Sequence, residues 1–455
     1  MGGTGSRVSE QSEELKNFHL KARKVYEEEL GNKEEVTAKD LLNVFPNRLI
    51  FCQAFVQWMK TLSYKGTANR QSFIFATEIL LLDSNHVLKP EYKNHAFNFL
   101  EIFMHMVLSK LPQNIESISQ QQVESFIAVL VNLFLDENEE TDLIKKSLFS
   151  LVKSLFAGNS SALAGSVIYA FKSSLPYIVF FAKNKFENLL FHQKEIEVPL
   201  IKGDHIMNKQ ILLLLGLTNN KILNRFDMKL IYSSRSMGSS FHRLSSALVG
   251  YEAPTIMLIR NNYDLINSHN NTGIFGAYTN CKWEDSLSYF GSPENYLFKI
   301  TPEFKTFFTF NGQGGKEYVY LNTKHINNSI YKPGLAFGGG IKTKPRIWLD
   351  YELLTKSKAE DKDKTYENGI LTQSPYDHLK INCIEIWGFP DETTEEKQQS
   401  YKKMENDMIM NNRKIDKKAM FAQQGNEFLF ENQFKFKEQL NIDFEHEKAK
   451  VKREE

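Results

Sequence analysis

Lys229-Leu-Ile-Tyr-Ser-Ser-Arg-Ser-Met-Gly-Ser-Ser-Phe241 opens the stretch whose reading decides the fold of this chain. It continues through Gly250-Tyr-Glu-Ala-Pro-Thr-Ile-Met-Leu-Ile, Gly273-Ile-Phe-Gly-Ala-Tyr, Trp283 and Phe290-Gly-Ser-Pro-Glu-Asn-Tyr-Leu-Phe. Tyr320-Leu-Asn, Gly334-Leu-Ala-Phe-Gly-Gly, Ile347-Trp-Leu-Asp and Ile384-Glu-Ile-Trp-Gly complete it. Short apolar runs such as Thr255 to Ile259, Tyr296 to Ile300 and Cys383 to Trp387 are each bounded by Gly, Pro or Asn. That is the pattern of a compact antiparallel sheet structure. Phe241 to Leu248 has helical spacing and predicts a short helix between the first strands. The glycines from Gly334 onward suit positive-φ turns or close strand approach. They lack the lysine of a phosphate loop and precede a strand rather than a helix.

Upstream of this stretch the periodicity changes. Leu15 to Leu30, Leu41 to Leu62, Phe73 to Leu82, Ala96 to Leu108, Gln121 to Leu135 and Ile144 to Phe156 carry apolar residues three and four apart, which predicts helices. Thr37-Ala-Lys-Asp and Ser117-Ile-Ser-Gln read as helix starts. Gly158-Asn-Ser-Ser-Ala reads as a break, and Ser166 to Phe191 as a further helical run interrupted at Pro176. Leu175-Pro-Tyr-Ile-Val-Phe-Phe-Ala is too short to cross a bilayer and reads as core. Ile211-Leu-Leu-Leu-Leu reads as a buried helix packing two lobes together, with a cofactor or lipid groove as the alternative. Two acidic segments invite comparison with calcium loops. In Asp83-Ser-Asn-His-Val-Leu-Lys, Leu88 occupies the glycine position and Asn94 the place of the bidentate glutamate. In Asp136-Glu-Asn-Glu-Glu, Thr141 and Ser147 fail in the same way. The expectation is an EF-hand-like lobe with dead loops and no metal.

The composition bounds the function. A chain of 455 residues suggests two or three domains. Its 56 basic and 55 acidic residues leave a net charge of +1, against a general nucleic-acid binder. Cys52, Cys281 and Cys383 fit neither a disulfide framework nor a zinc site, and Cys281 and Cys383 read as buried small hydrophobes. No secretory signal and no run of about 18 apolar residues is found. Met1-Gly-Gly-Thr-Gly-Ser fits the pattern for N-myristoylation of Gly2, with Ser6 as the small hydroxylated residue. Lys356 to Lys364 reads as a solvated charge run. After Pro390, Glu395 to Gln423 and Glu427 to Lys452 are rich in Lys, Glu and Gln and favour helix. Tyr401, Met404, Met408 and Ile415 form a sparse stripe on the first. Phe430 and Phe434, then Phe436, Leu440 and Phe444, recur at four-residue spacing on the second, which suits either a partner-binding helix in a groove or a charged, partly disordered tail.

In that order and spacing, the segments from 229 to 388 resemble a TLDc domain, the module of the oxidation-resistance proteins and of several regulators of the vacuolar proton-pumping ATPase. The resemblance covers roughly a third of the chain. It implies an α+β protein: an N-terminal all-α, degenerate EF-hand-like lobe, then a β-sandwich with flanking helices, then a C-terminal helical extension. The boundaries are a flexible start at 1–7, the helical lobe at 8–200, a connecting segment at 201–228, the TLDc domain at 229–390 and the extension at 391–455. The layout also resembles a myristoylated, lysosome-associated branch of the family linked to growth signalling. Two departures, Asn368-Gly-Ile-Leu and Ala336 with an extra Gly340, read as changes in surface turns.

The resemblance carries no catalytic site, and the residues agree. His242 lies beside Ser239, Ser240, Ser245 and Ser246 with no Gly-x-Ser-x-Gly elbow; His378 is a further available histidine, and His269 and His325 sit in Asn-rich polar segments and read as exposed. Glu252, the acidic residue inside a family motif, either organises a buried hydrogen-bond network or presents a charge to a partner. The expectation is a non-enzyme without cofactor. Lipidated at Gly2, it binds vacuolar ATPase subunits through the sandwich, Glu252 and the C-terminal anchors on the cytoplasmic face of lysosomal or vacuolar membranes. The rivals are an oxidative-stress protection factor acting through Cys281 or Cys383, and a structural component of a cytoskeletal or ciliary assembly.

Overall fold

The computed structural model describes residues 4–82, 99–110, 115–193, 198–199, 201–223, 227–262, 272–310, 314–324, 332–340, 343–353, 355–372 and 378–423. The chain divides into two units: Met1–Leu248 with Ala253–Asp391, and Val249–Glu252 with Glu392–Glu455.

The first unit begins with helices α1 (Thr4–Glu29), α2 (Leu49–Leu62), α3 (Arg70–Leu81) and α4 (Phe99–Val107). The helix expected over Leu41 to Leu62 is broken. Only a 3-10 turn, Asp40–Asn43, precedes Pro46. Proline has no amide to donate and pushes the residue before it out of helical geometry, and Asn47 follows at φ 59°. Real start signals sit where side chains close reciprocal caps. Asn69 and Ser72 box the start of α3, and Ser119 and Gln122 box that of α5 (Gln120–Phe134). Strand β1 (Ser117–Ser119) leads into α5. After it come α6 (Asp142–Val152), strand β2 (Ser161–Leu163), α7 (Ala164–Ser174) and α8 (Ile178–Leu190). β1 and β2 pair antiparallel and join two helix–loop–helix hairpins side by side.

The described pairing thus joins the segments at 117–119 and 161–163, not the acidic run at Asp136. Residues 83–98 lie outside the described residues. Lys153 to Leu163 holds no Asp or Glu, so the second loop lacks the hard oxygen ligands a calcium site needs. The acidic run at 136 serves structure instead. Asp136 pairs with the buried Arg48, Glu137 accepts the amide of Ile50 at the start of α2, and Glu139 pairs with Lys209.

His105, on α4, is buried, and burial, with Lys110 adding to it, pushes its imidazole down to about 4. The native state then holds it neutral where an unfolded chain, near 6.5, protonates it. Stability is full above about pH 6.5 and falls as pH drops from there to about 4, by on the order of 3 kcal/mol. Denaturant midpoints across that range should show this slope, and His105→Gln should flatten it.

Helix α9 (Lys209–Thr218) is buried from Gln210 to its end, as its apolar run predicts, and does pack the two lobes together. The Gln210 amide oxygen accepts the amide of Ile144 (3.0 Å), and Thr218 Oγ1 hydrogen-bonds Tyr296 on the sheet (2.6 Å). A short helix α10 (Asn220–Leu223) follows. Further ties are Ser150 Oγ accepting the amide of Phe304 (2.9 Å) and the ion pair Lys153–Glu303. α7 and α8, bent by 92° around Pro176, are core helices. No single helix among the described residues is long and apolar enough to cross a membrane.

The sandwich has two antiparallel sheets. Their strands are β3 (Lys229–Ser233), β4 (Thr255–Asn262), β5 (Thr272–Thr279), β6 (Tyr296–Thr301), β7 (Lys305–Phe307), β8 (Val319–Asn322), β9 (Gly334–Phe337), β10 (Ile347–Asp350), β11 (Lys358–Ala359) and β12 (Ile381–Gly388). Helices α11 (Ser234–Met237) and α12 (Phe241–Leu248) lie between β3 and β4. The larger sheet runs β3-β12-β4-β5-β6-β7 and the smaller β11-β10-β9-β8. One face of the larger sheet, with Ile256, Leu258, Tyr296 and Phe298, joins the core of the helical lobe. Met257 and Ile259 point the other way by strand alternation and are buried too. A sheet covered on both faces needs continuous apolar strands, which is why Thr255 to Ile259 shows no alternation.

Two expectations fail in the smaller sheet. Ala336 is not in a surface turn: it is a buried residue of β9, opposite Tyr320 and Trp348. The charge run at 356–364 is only partly solvated. Within it β11 pairs with β10, Ser357 is buried, and the Asp363 side chain is fully buried against Arg346. Hydropathy averages a run, whereas the fold uses one carboxylate of it as an internal acceptor.

In the second unit, helix α13 (Thr394–Gln423) packs on the turn Val249–Glu252. The Gln398 side chain donates to the carbonyl of Val249 (3.1 Å). Gly250, at φ 79°, leaves no room for a β-carbon, which would stand 2.7 Å from Tyr401 Cδ1.

Candidate functional site

Glu385 is the charged residue that the sandwich buries most completely in its larger sheet. It lies on β12 between Ile384 and Ile386, in a strand flanked by β3 and β4, with no exposed surface. Its carboxylate accepts the backbone amides of Ile206 (2.9 Å) and Met207 (3.2 Å) and the indole N–H of Trp387 (3.1 Å). His205 Nδ1 lies 3.3 Å from the second oxygen, and the His205 ring stands edge-on to Trp387. Beside them Asp204 pairs with Arg235 of α11, an exposed contact that raises the guanidinium pKa. A carboxylate so surrounded is a brace. It fixes residues 204–207, the entry to α9, against the centre of the sheet. Its acceptor capacity is consumed by structural donors, which leaves it poorly placed to relay protons.

The second buried charge centre holds the smaller sheet. Arg346 is wholly buried and donates to the carbonyl oxygens of Glu360, Glu367 and Gly369. Its Nε lies 3.6 Å from Asp363 Oδ1, and its guanidinium stands 5.2 Å over the Phe307 ring. Asp363 in turn accepts the amides of Thr365 (2.9 Å), Gly339 (3.1 Å) and Tyr366 (3.3 Å). Burial raises the Asp363 pKa against the opposing pull of those amides and of Arg346, and lowers the Arg346 pKa. Gly338 and Gly339 turn at φ 71° and 80° to admit the carboxylate. A β-carbon on Gly338 would collide with Asp363, so the glycines serve a close approach, as their sequence suggests.

Of the residues singled out from sequence, Glu252 is exposed, on the turn that carries α13. It is therefore not the organiser of a buried network; Glu385 fills that role. Gly2, Phe430, Phe434, Leu440 and Phe444 lie outside the described residues, as do His269 and His325. His242 and His378 are exposed, and Ser245 spends its hydroxyl on the carbonyl of His242 (3.1 Å). Among the described residues no group of three or more His, Cys, Asp or Glu is placed to hold a metal. The site reading missed Glu385, Arg346 and Asp363. For Glu385 a signal existed, since a carboxylate inside an apolar strand must find buried partners.

The exposed apolar surface of α13 is the other feature available to a partner. Tyr401, Met404 and Met408 recur at three- and four-residue steps, on one helical face. Met404 and Met408 are 51% and 58% exposed.

Comparison with known proteins finds a match to the TLDc domain model over residues 200–390. That match includes the entry segment braced by Glu385, so it begins ahead of β3. The chain is similar to Nuclear receptor coactivator 7 of Gallus gallus and of Homo sapiens, each 27% identical over 164 residues, which is 36% of this chain and 15% of that protein. It is also similar to Oxidation resistance protein 1 of Bos taurus, 27% identical over 160 residues, covering 35% of this chain and 16% of the relative. The match thus spans well under two thirds of the relatives' own length.

Proposed function

We propose that this protein, whose residues 200–390 form a TLDc domain, is a non-catalytic regulator that binds the cytosolic sector of the vacuolar proton-pumping ATPase at a lysosome-like membrane. The observation that carries the reading is α13. Tyr401 seats the helix on Gly250, and the same face runs on as exposed Met404 and Met408. Adaptable thioether side chains on one helical stripe suit a groove on a large partner. The TLDc resemblance supplies the identity of that partner. The buried charges of the sandwich, Glu385, Arg346 and Asp363, are spent on holding the fold, which favours a rigid docking module over an enzyme. An acyl chain on Gly2 would give only marginal membrane affinity, so the pump itself would be the second anchor. Glu252, Phe430, Phe434, Leu440 and Phe444 are the further contacts assigned to the partner.

The test is an affinity pull-down read by mass spectrometry, with the full chain, a chain ending after Pro390, and a Met404→Glu/Met408→Glu variant. Pump subunits should come down with the full chain and be lost from both others. Equal recovery by all three would remove α13 from the interface, and no recovery by any would overturn the partner. Intact-mass measurement of the native protein reads acylation of Gly2.

A protective role through thiol chemistry fits the structure poorly. Burial pushes both Cys52 and Cys281 up to about 12, and Cys383 is fully buried. A reactive cysteine needs the opposite, an accessible thiol held low. A disulfide-exchange reagent at pH 8 should leave the native protein almost unlabelled and react with all 3 cysteines after denaturation. Rapid native labelling of Cys281 would restore the redox reading.

A further inference from the structure

We propose that a cavity in the helical lobe binds a primary ammonium group carried on an apolar stem, with Glu78 as its counter-ion. The cavity, about 600 Å³ and open to solvent, lies between α1, the end of α2 and the start of α3. That volume is in the range of small-molecule sites. Leu62, Ile74 and Phe75 supply apolar lining, the exposed ring of Tyr64 adds a π surface, and Glu78 and His19 bring charge.

The polar groups sort themselves by what they already hold. Asn69 and Ser72 close the cap of α3 on each other, and Arg70 is paired with Glu27. Glu78 differs. Its side chain is 11% exposed, yet its carboxylate has one partner among the described residues, His19 Nε2 at 3.0 Å from Oε2. Two carboxylate oxygens offer about four acceptor positions, so one contact among the described residues leaves capacity for a donor in the cavity that Glu78 lines. The His19 side chain is 42% exposed overall, although its Nε2 is buried. A buried carboxylate gains most from a charged donor, and an ammonium brings three N–H groups where imidazole brings one. Tyr64 and Phe75 favour a cation over a neutral head group. An anion would meet Glu78 and be repelled. The apolar wall requires a stem of several carbons behind the charge, as in a lysine side chain or an alkylamine.

Calorimetric titration of the full-length chain tests this with four probes: hexylammonium, hexanol, hexanoate and choline. Hexylammonium should bind roughly tenfold or more tightly than hexanol, the worth of one charge-assisted contact, and hexanoate should not bind. Glu78→Gln should erase the gap between hexylammonium and hexanol, whereas His19→Ala should keep or widen it. Ile74→Trp, which fills the space without touching the charge, should block hexylammonium and hexanol alike. Circular dichroism confirms that each variant is folded. Equal binding of hexanol, undiminished ammonium binding in Glu78→Gln or in Ile74→Trp, or a preference for choline would overturn the assignment.

Discussion

Glu385→Ala should destabilise the chain by about 3 to 5 kcal/mol, the range seen when one partner of a buried, charge-assisted network is removed. The substitution strands the amides of Ile206 and Met207 and the indole N–H of Trp387, all of which the carboxylate now accepts. It also removes the partner of His205. None of these donors gains water in exchange, because the residue has no exposed surface. Glu385→Gln keeps the shape and one acceptor oxygen but turns the other half of the group into a donor facing donors, so it should recover only part of the loss. Guanidinium unfolding followed by circular dichroism and by tryptophan fluorescence checks both. Trp387, which the carboxylate holds, should report the change first. A loss below about 1 kcal/mol would mean that the brace is dispensable. The expected consequence beyond stability is a loosened entry to α9, the helix that ties the helical lobe to the sheet.

Arg346→Met should be of similar size, again about 3 to 5 kcal/mol, because it leaves Asp363 ionised and buried without a cation. The three carbonyl oxygens of Glu360, Glu367 and Gly369 lose their donor at the same time. A second substitution separates these contributions. Asp363→Asn in the Arg346→Met background removes the stranded charge and should recover stability relative to Arg346→Met alone. The coupling between the two sites in a double-mutant cycle then measures the ion pair. Burial already raises the Asp363 pKa, and without Arg346 it should rise further. A raised acid pKa stabilises at low pH and loses that stability as pH climbs through the folded pKa. The Arg346→Met defect should therefore shrink in acid and grow toward neutral pH. A defect independent of pH would assign the loss to the carbonyl contacts rather than to the charge.

The two networks also bear on how the protein could work. Neither offers a free acid, base or nucleophile to a substrate, and both immobilise loops at the margins of the sandwich. A domain built this way presents a fixed surface. Adaptability then falls to α13 and its exposed methionines, as the proposed docking role requires.

Element type and order were legible in the chain itself because they rest on local periodicity. The helix at Phe241–Leu248, the strands around Thr255, Tyr296 and Cys383 and the buried helix at Lys209–Thr218 all follow from residues within a few positions of one another, and the TLDc resemblance follows from the order of such segments. Pro46 shows the limit even there: an apolar pattern continued through it while the backbone could not. Partnership was a matter for the tertiary structure. Glu252 and Glu385 are both carboxylates in motifs ending in a turn or a strand, yet one is exposed and the other is the hub of the sheet. Asp363 sits in a run that reads as solvated and is buried. The hairpins of the helical lobe meet at Ile118 and Ala162, which carry no charge, rather than at the acidic run of Asp136. The reason is the same in each case. Neighbours two or three positions away contribute, but burial of each charge also needs partners 21 to 180 positions away, and local composition carries no record of those.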